Sequence, residues 1–236
     1  MNELLKLAIE AHGGLARFNA LDRVDARLQI GGALWTFTGQ EGLFADVGFA
    51  AALHSQRGIV FDDLGGGQRS VFAPDRVRLE THGGVLVEER SAPRDSFGQD
   101  GRWDRIHAAY FSSYAMWNYL VQPFVYALPG FEVAEIAPWE EQGETWRRLR
   151  IVYPGYVVGH AREQVSYFGA DGRLRRHDYS VDVLGGATGA NYASAYRDVN
   201  GIMVPMRRRV VGRRADGSSI PEPLLVSIDI AQIAFA

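Results

Sequence analysis

The spacing of apolar and polar positions divides the chain into four regions. Residues 3–14 carry apolar side chains three and four positions apart, which predicts an N-terminal amphipathic helix ended by a Gly-Gly pair. From residue 24 to 91 the apolar residues recur at every second position, and Gly, Pro and Asp clusters interrupt them. This pattern, which includes 34–38, predicts a first group of strands. A similar pattern predicts a second group over 131–235.

Between the two strand groups, residues 103–128 return to a helical period and are rich in aromatic residues. Eight of the 27 aromatic side chains of the chain fall here: Trp103, Tyr110, Phe111, Tyr114, Trp117, Tyr119, Phe124 and Tyr126. Pro123 should kink or divide this helix. Because these aromatics occur at every angle around the helix, they can all be buried only if the helix lies inside a curled sheet.

These elements predict one domain over residues 1–236, mainly β within the α+β class. About a dozen antiparallel strands in sequential order would leave long flat edges unless the sheet bends. We therefore expect a single strongly curved antiparallel sheet, or unclosed β-barrel, with an N-terminal helix. The helical insertion should pack on the concave face of that sheet.

Three segments carry a resemblance to a known superfamily. They are Leu7-Ala8-Ile9-Glu10-Ala11-His12-Gly13-Gly14, Tyr167-Phe168-Gly169-Ala170-Asp171-Gly172-Arg173-Leu174 and Val199-Asn200-Gly201-Ile202-Met203-Val204-Pro205. Together with the order of elements, they make the chain similar to the lipoprotein-localisation-factor (LolA/LolB-like) superfamily. The resemblance covers nearly the whole chain and implies an unclosed β-barrel with a helical lid over an apolar cavity.

Composition narrows the possible partners and locations. The chain has no Cys, which excludes disulfides, thiolate metal sites and a lipid-accepting Cys. The sequence contains no run of about 18 apolar residues, so it predicts no membrane span. The N-terminus lacks the pattern of a signal peptide, so we expect a cytoplasmic location. The net charge of −3 argues against nucleic-acid binding, while the positive balance of residues 145–236 is compatible with an anionic ligand.

The aromatic insertion supplies the candidate ligand contacts. Trp103, Tyr110, Tyr114, Trp117 and Tyr119 could form the wall of an apolar pocket in which the hydroxyl groups are the few polar contacts. The alternative is that these rings are the packed core of the sheet.

The arginine run 207–209 supplies a candidate for an anionic head group. Its side chains alternate between the two faces of a strand, so at least one arginine should differ in direction from its neighbours. We take Arg207 as the candidate that would hold a carboxylate or phosphate. Pairing with neighbouring strands on the outer face is the alternative.

Histidines and a tyrosine supply the candidate catalytic groups. His177 and Tyr179 share one face of a strand, which the apolar residues beyond them predict to point inward. His160 follows a loop near the rim, and His107 lies one helical turn before Tyr110. Each could transfer protons or could be structural.

The sequence predicts no cofactor and no metal. The glycine motifs of nucleotide sites are absent, and so are HExxH and Cys/His clusters. A metal site made of His160, His177 and a carboxylate is conceivable, but the spacing does not require it.

Two functions remain open at this point. The first is a soluble binding protein for an apolar small molecule or lipid, which could have an anionic head, held in the cavity of the sheet. The alternative is a cofactor-independent lyase, isomerase or cyclase that uses His/Tyr proton transfer on an apolar substrate. A binding protein should show an apolar cavity with isolated polar groups, whereas an enzyme should show titratable groups converging in a cleft.

Overall fold

The computed structural model describes residues 1–98 and 100–236 and contains one large sheet with a few helices. The helices are α1 (Glu3–Ala11), α2 (Leu15–Asn19), α3 (Ala33–Thr38) and α4 (Arg105–Val121). The strands of the first group are β1 (Arg23–Gly31), β2 (Val47–Ala52), β3 (Ile59–Asp62), β4 (Gln68–Ala73), β5 (Arg76–Thr81) and β6 (Leu86–Ser91). Those of the second group are β7 (Glu132–Glu141), β8 (Glu144–Val152), β9 (Glu163–Phe168), β10 (Leu174–Val181), β11 (Ala187–Val199), β12 (Ile202–Arg213), β13 (Ser219–Ile220) and β14 (Val226–Phe235).

The strands form a single 14-stranded antiparallel sheet that is not closed into a barrel. Their order is β6-β5-β4-β3-β2-β1-β14-β12-β11-β10-β9-β8-β7, with the short β13 paired only to β12. The predicted mainly β architecture is confirmed. The expectation of sequential order is wrong at one place, because β1 pairs with β14 in the middle of the sheet. The two sequential groups are thus joined along their inner strands, and β6 and β7 are left as the edges.

Helix α4 crosses the inside of the curved sheet and carries the chain from the β6 edge to the β7 edge. Every residue from 106 to 121 is buried, as expected for a helix that is apolar around its whole circumference and enclosed by the sheet. Asp104 caps its N-terminus by accepting a hydrogen bond from the backbone N–H of His107 at 2.9 Å. The α-helix ends at Val121, and a 3₁₀ turn follows Pro123 over Phe124–Ala127. The predicted insertion at 103–128 is therefore present and is divided at its proline.

Two local predictions need correction. Residues 34–38 form part of α3 and not a strand, because one side of this short helix, at Trp35 and Thr38, is buried. Gly39 then ends α3 in the left-handed conformation. The predicted N-terminal helix over 3–14 stops at Ala11, and α2 starts a separate turn after the two glycines.

The helices provide no membrane-spanning candidate. In the part of the chain that the structure describes, none combines the length and the hydropathy that a bilayer crossing requires.

Candidate ligand-binding site

A cluster of tyrosine and histidine side chains lies between α4 and the second strand group. The Tyr119 hydroxyl is 2.8 Å from His160 Nε2 and 2.7 Å from the Tyr179 hydroxyl. His160 Nδ1 is 3.3 Å from the Tyr114 hydroxyl, and the imidazole stacks on the Tyr179 ring at 4.0 Å between centroids. The fold therefore joins four predicted site residues from α4, β10 and the loop before β9.

The floor of this cluster is the concave face of β10, β11 and β12. His177 of β10 lies directly opposite Asn191 of β11, and both side chains are fully buried. Nε2 of His177 and both amide atoms of Asn191 have no hydrogen-bond partner among the described residues. The Asn191 amide lies near the Tyr119 hydroxyl, where it partly offsets the rise that burial gives the pKa of that hydroxyl. Because a buried polar atom without a partner costs about 1–3 kcal/mol, these atoms form an unusual surface for a core.

Arg208 of β12 adds a buried positive charge to the same floor. It is only 3% exposed, donates to the Tyr119 carbonyl at 2.8 Å and lies 4.7 Å above the Tyr119 ring. With its amide oriented to satisfy both neighbours, Gln122 accepts from the guanidinium at 2.8 Å and donates to the Tyr126 hydroxyl. No carboxylate of the described residues forms an ion pair with Arg208, although buried charges are normally paired.

Burial keeps the histidines of this site uncharged and its tyrosine hydroxyls protonated at neutral pH. Desolvation, with a smaller contribution from Arg94, lowers the pKa of His160 to about 3. Desolvation and the nearby charge of Arg208 hold the pKa of His177 well below its usual value. Burial raises the pKa of Tyr119 to about 12. The pKa of Arg208 is lowered by desolvation. At neutral pH the site therefore offers hydrogen-bond donors and acceptors around a single cation.

Three predicted ligand contacts on the helical segment lie outside the cluster. Trp103 packs against Trp35 and Phe111, and the Trp117 indole donates to the Ala52 carbonyl at 2.8 Å. Tyr110 contacts the ring of Phe72. All three are buried against the first strand group or its loops, which agrees with the alternative that part of the aromatic insertion is packed core.

His107 and Arg207 also lie away from the cluster. The Nδ1 atom of His107 accepts from the backbone N–H of Asp104 in the cap of α4, at 3.2 Å. The Arg207 side chain is 56% exposed on the convex face and pairs with Asp229 at 3.2 Å. The prediction that Arg207 holds the anionic group is therefore corrected, because its side chain points outward and the inward arginine of this run is Arg208.

Sequence reasoning missed Arg208, although the sequence holds a signal for it. Ile202, Val204, Met206 and Val210 lie at every second position of β12, and their side chains are buried. This periodicity places position 208 on the same inward face. Asn191 carried no such signal, because its importance depends on the strands that surround it.

Clefts at the surface approach the cluster from two sides. Two of them, of about 610 and 510 Å³, meet at an ion pair in which Arg94 lies 2.8 Å from Asp182. Arg94 also donates to the Gly159 carbonyl, directly before His160. These two clefts therefore lie beside His160, although none of the side chains of the cluster lines them.

The other approach is a cleft of about 420 Å³ beside α1 and β7, where polar atoms supply slightly more of the exposed surface than apolar atoms do. It is lined by Met1, Asn2, Leu5, Leu15, Tyr126, Ala127, Leu128, Phe131 and Val133. Tyr126 thus links this cleft to Gln122 and Arg208.

In the parts of the chain described, no group of three or more metal-ligating side chains lies together.

The arrangement suits binding better than proton transfer. His160 has a tyrosine hydroxyl at each ring nitrogen, so neither nitrogen is free to act on another molecule. Within this cluster the unpartnered atoms belong to His177 and Asn191, and the unpaired charge belongs to Arg208. These groups can hold a polar or anionic group. Catalysis by His160, His177, Tyr179 or His107 stays a prediction.

Comparisons with known proteins identify the fold. No protein-family model matches the chain, and no curated protein matches it. Among solved structures, a LolA superfamily protein from Nitrosomonas europaea superposes with a TM-score of 0.53 at 10% identity, covering 99% of this chain and 92% of that one. A putative outer membrane lipoprotein-sorting protein domain from Vibrio parahaemolyticus gives 0.52 at 12% identity, covering 98% and 91%. The chain therefore has a LolA-like fold, as the sequence resemblance implied.

Proposed function

We propose that this chain is a binding protein for an apolar small molecule with an anionic head group. The observation that carries the proposal is Arg208, a buried guanidinium with no carboxylate partner among the described residues. Desolvating a lone charge costs several kcal/mol, and a ligand carboxylate or phosphate would supply the missing counter-charge.

The cleft beside α1 includes apolar side chains that suit the tail of such a ligand. Its volume of about 420 Å³ lies within the range of small-molecule sites, and Leu5, Leu128 and Phe131 contribute apolar surface. The Tyr126 side chain separates this cleft from Gln122 and Arg208. A rotation of Tyr126 would allow the head to reach the guanidinium while the tail stays between α1 and β7.

The LolA-like fold is compatible with this proposal. The Vibrio parahaemolyticus structure is described as a lipoprotein-sorting domain, and the acyl chain of a lipid is one kind of apolar ligand. The similarity in sequence is low, so the argument rests on Arg208 and on the adjoining cleft.

The direct test compares cis-parinaric acid with its methyl ester, using the fluorescence of the polyene to measure Kd. A charge-assisted hydrogen bond contributes about 1.5–3 kcal/mol, so the acid should bind about 10- to 100-fold more tightly than the ester. Arg208→Gln should remove this preference. Arg207→Gln should retain it, because Arg207 lies on the convex face.

Equal Kd values for acid and ester in the unmodified protein, or binding of neither, would overturn the proposal. Loss of the preference in Arg207→Gln but not in Arg208→Gln would show instead that Arg207 holds the anionic group, as the sequence predicted. Native mass spectrometry of the freshly purified protein adds an independent readout, since a co-purified ligand should be an apolar acid.

A further inference from the structure

The unpartnered atoms of His177 and Asn191 form a second recognition element beside Arg208. The two residues face each other across β10 and β11, and neither has exposed surface. The Asn191 amide has an unused donor and an unused acceptor, and Nε2 of His177 is unused as well. A fold can leave three such atoms in its core only at a cost, unless another molecule completes their hydrogen bonds.

From this geometry we infer that the head of the ligand contains an amide next to its carboxylate, as in an N-acyl amino acid. The inference rests on the proposed function, because it uses the same ligand and the same arginine. The ligand N–H would donate to Asn191 Oδ1, and one carboxylate oxygen would accept from Asn191 Nδ2. The carboxylate would also pair with Arg208. In an extended N-acyl amino acid the N–H and a carboxylate oxygen point to the same side, as the N–H and C=O of one residue do in a strand, so both can meet one side-chain amide.

The register of the sheet places these groups within reach of one small head group. Arg208 lies opposite Ala193, which is two residues along β11 from Asn191 on the same face. Such diagonal neighbours are about 7–8 Å apart, close enough for long side chains to contact the same molecule. Ala193 and Gly189 on either side of Asn191 leave this face of β11 with little side-chain volume. The ring of Tyr179 covers Gly189.

Because His177 is uncharged, the site favours a ligand head with a neutral amide over one with a second charged group. His177 is fully buried, and Arg208 lies near enough to disfavour its protonated form. The groups that face it from neighbouring elements are Tyr119 of α4, Tyr179 of its own strand and His160 of the loop before β9. None of these carries a charge at neutral pH. The site therefore offers one positive charge for one carboxylate, and neutral partners for the rest of the head.

The test compares three ligands of equal length on the unmodified protein by calorimetry. They are N-dodecanoylglycine, the corresponding dodecanoyl ester of glycolic acid, and pentadecanoic acid. The ester keeps the carboxylate and the carbonyl but lacks the N–H. A site that hydrogen-bonds an N–H discriminates against an analogue without it, so the amide should bind at least about tenfold more tightly than the ester.

Two variants assign the discrimination to Asn191. Asn191→Leu is similar in volume and lacks both amide atoms, so it should bind amide and ester equally. Ser194→Ala changes an exposed residue of the same strand and should keep the preference. A purely structural role for Asn191 would alter stability but would not alter the amide-to-ester ratio.

The possible outcomes separate this inference from the proposed function. If all three acids bind equally and their methyl esters do not bind, the amide inference is overturned and the anionic-head proposal stands. Ordered water would then satisfy Asn191. Failure of all three acids to bind would overturn both. Retention of the preference in Asn191→Leu would also overturn the inference.

Discussion

Mild acid should unfold this protein because the fold keeps three histidines buried and uncharged. Desolvation lowers the pKa of His12 to about 4 and the pKa of His160 to about 3, and it holds the pKa of His177 well below 6.5. Their proton affinity is therefore lower in the folded chain than in the unfolded one. Stability is complete above the unfolded pKa of about 6.5 and is lost as the pH falls from there toward the folded values.

The size of the effect follows from proton linkage. Between pH 7 and pH 5 an unfolded histidine becomes protonated, while a folded one with a pKa of about 3 or 4 does not. Each such histidine therefore lowers the free energy of unfolding by about 2 kcal/mol over this range. His12 and His160 together amount to about 4 kcal/mol, and His177 adds to this in the same direction. Because domains of this size are stable by only about 5–15 kcal/mol, a large part of the stability should disappear over two pH units.

Urea unfolding followed by tryptophan fluorescence at pH 7, 6 and 5 measures this loss directly. His177→Leu should reduce the pH dependence, since one of the three buried histidines no longer takes up a proton on unfolding. His82→Leu removes a histidine whose side chain is 49% exposed and is the comparison variant. A free energy of unfolding that changes by less than about 2 kcal/mol between pH 7 and pH 5 would refute the argument.

Two further predictions concern residues outside the ligand site. Arg176→Met should destabilise the fold by up to about 3–5 kcal/mol in urea melts, because Asp178, which is 4% exposed, would lose its partner at 2.6 Å and keep only Arg213 at 3.4 Å and the Tyr167 hydroxyl. The double variant with Asp178→Leu should recover most of this loss, and no recovery would contradict the pairing argument. Gly13→Ala should cost more than about 2 kcal/mol, since the residue has a φ of +119° and the new Cβ would meet the Gly201 carbonyl oxygen at 2.1 Å. Gly155→Ala, which faces open space, is the matched control and should change stability by less than about 0.5 kcal/mol.

The Arg176–Asp178 pair also shows where strand alternation misleads. Alternation places His177 and Tyr179 on the inner face, and the structure confirms this, with both side chains buried. By the same alternation Arg176 and Asp178 lie on the opposite face of β10. The pair exists, but Trp139 and Glu141 of β7 and the Gly217 carbonyl cover it. A local period describes which face a residue occupies and cannot show whether another part of the chain covers that face.

The sequence by itself determined most of the strands and the location of the long helix. A period of two with glycine turns specifies strands because side chains alternate across a pleated sheet. Aromatics around the full circumference of α4 require burial on every side, so only an enclosing sheet accommodates the helix.

The tertiary structure alone decided which of these elements meet. The pairing of β1 with β14 joins the two ends of the chain, and the bond from Arg208 to the Tyr119 carbonyl spans 89 residues. The bond between Tyr119 and His160 spans 41 residues. Local periodicity describes only the neighbours of a residue along its own element. The buried cation and the unpartnered amide arise from the way the sheet curves around α4.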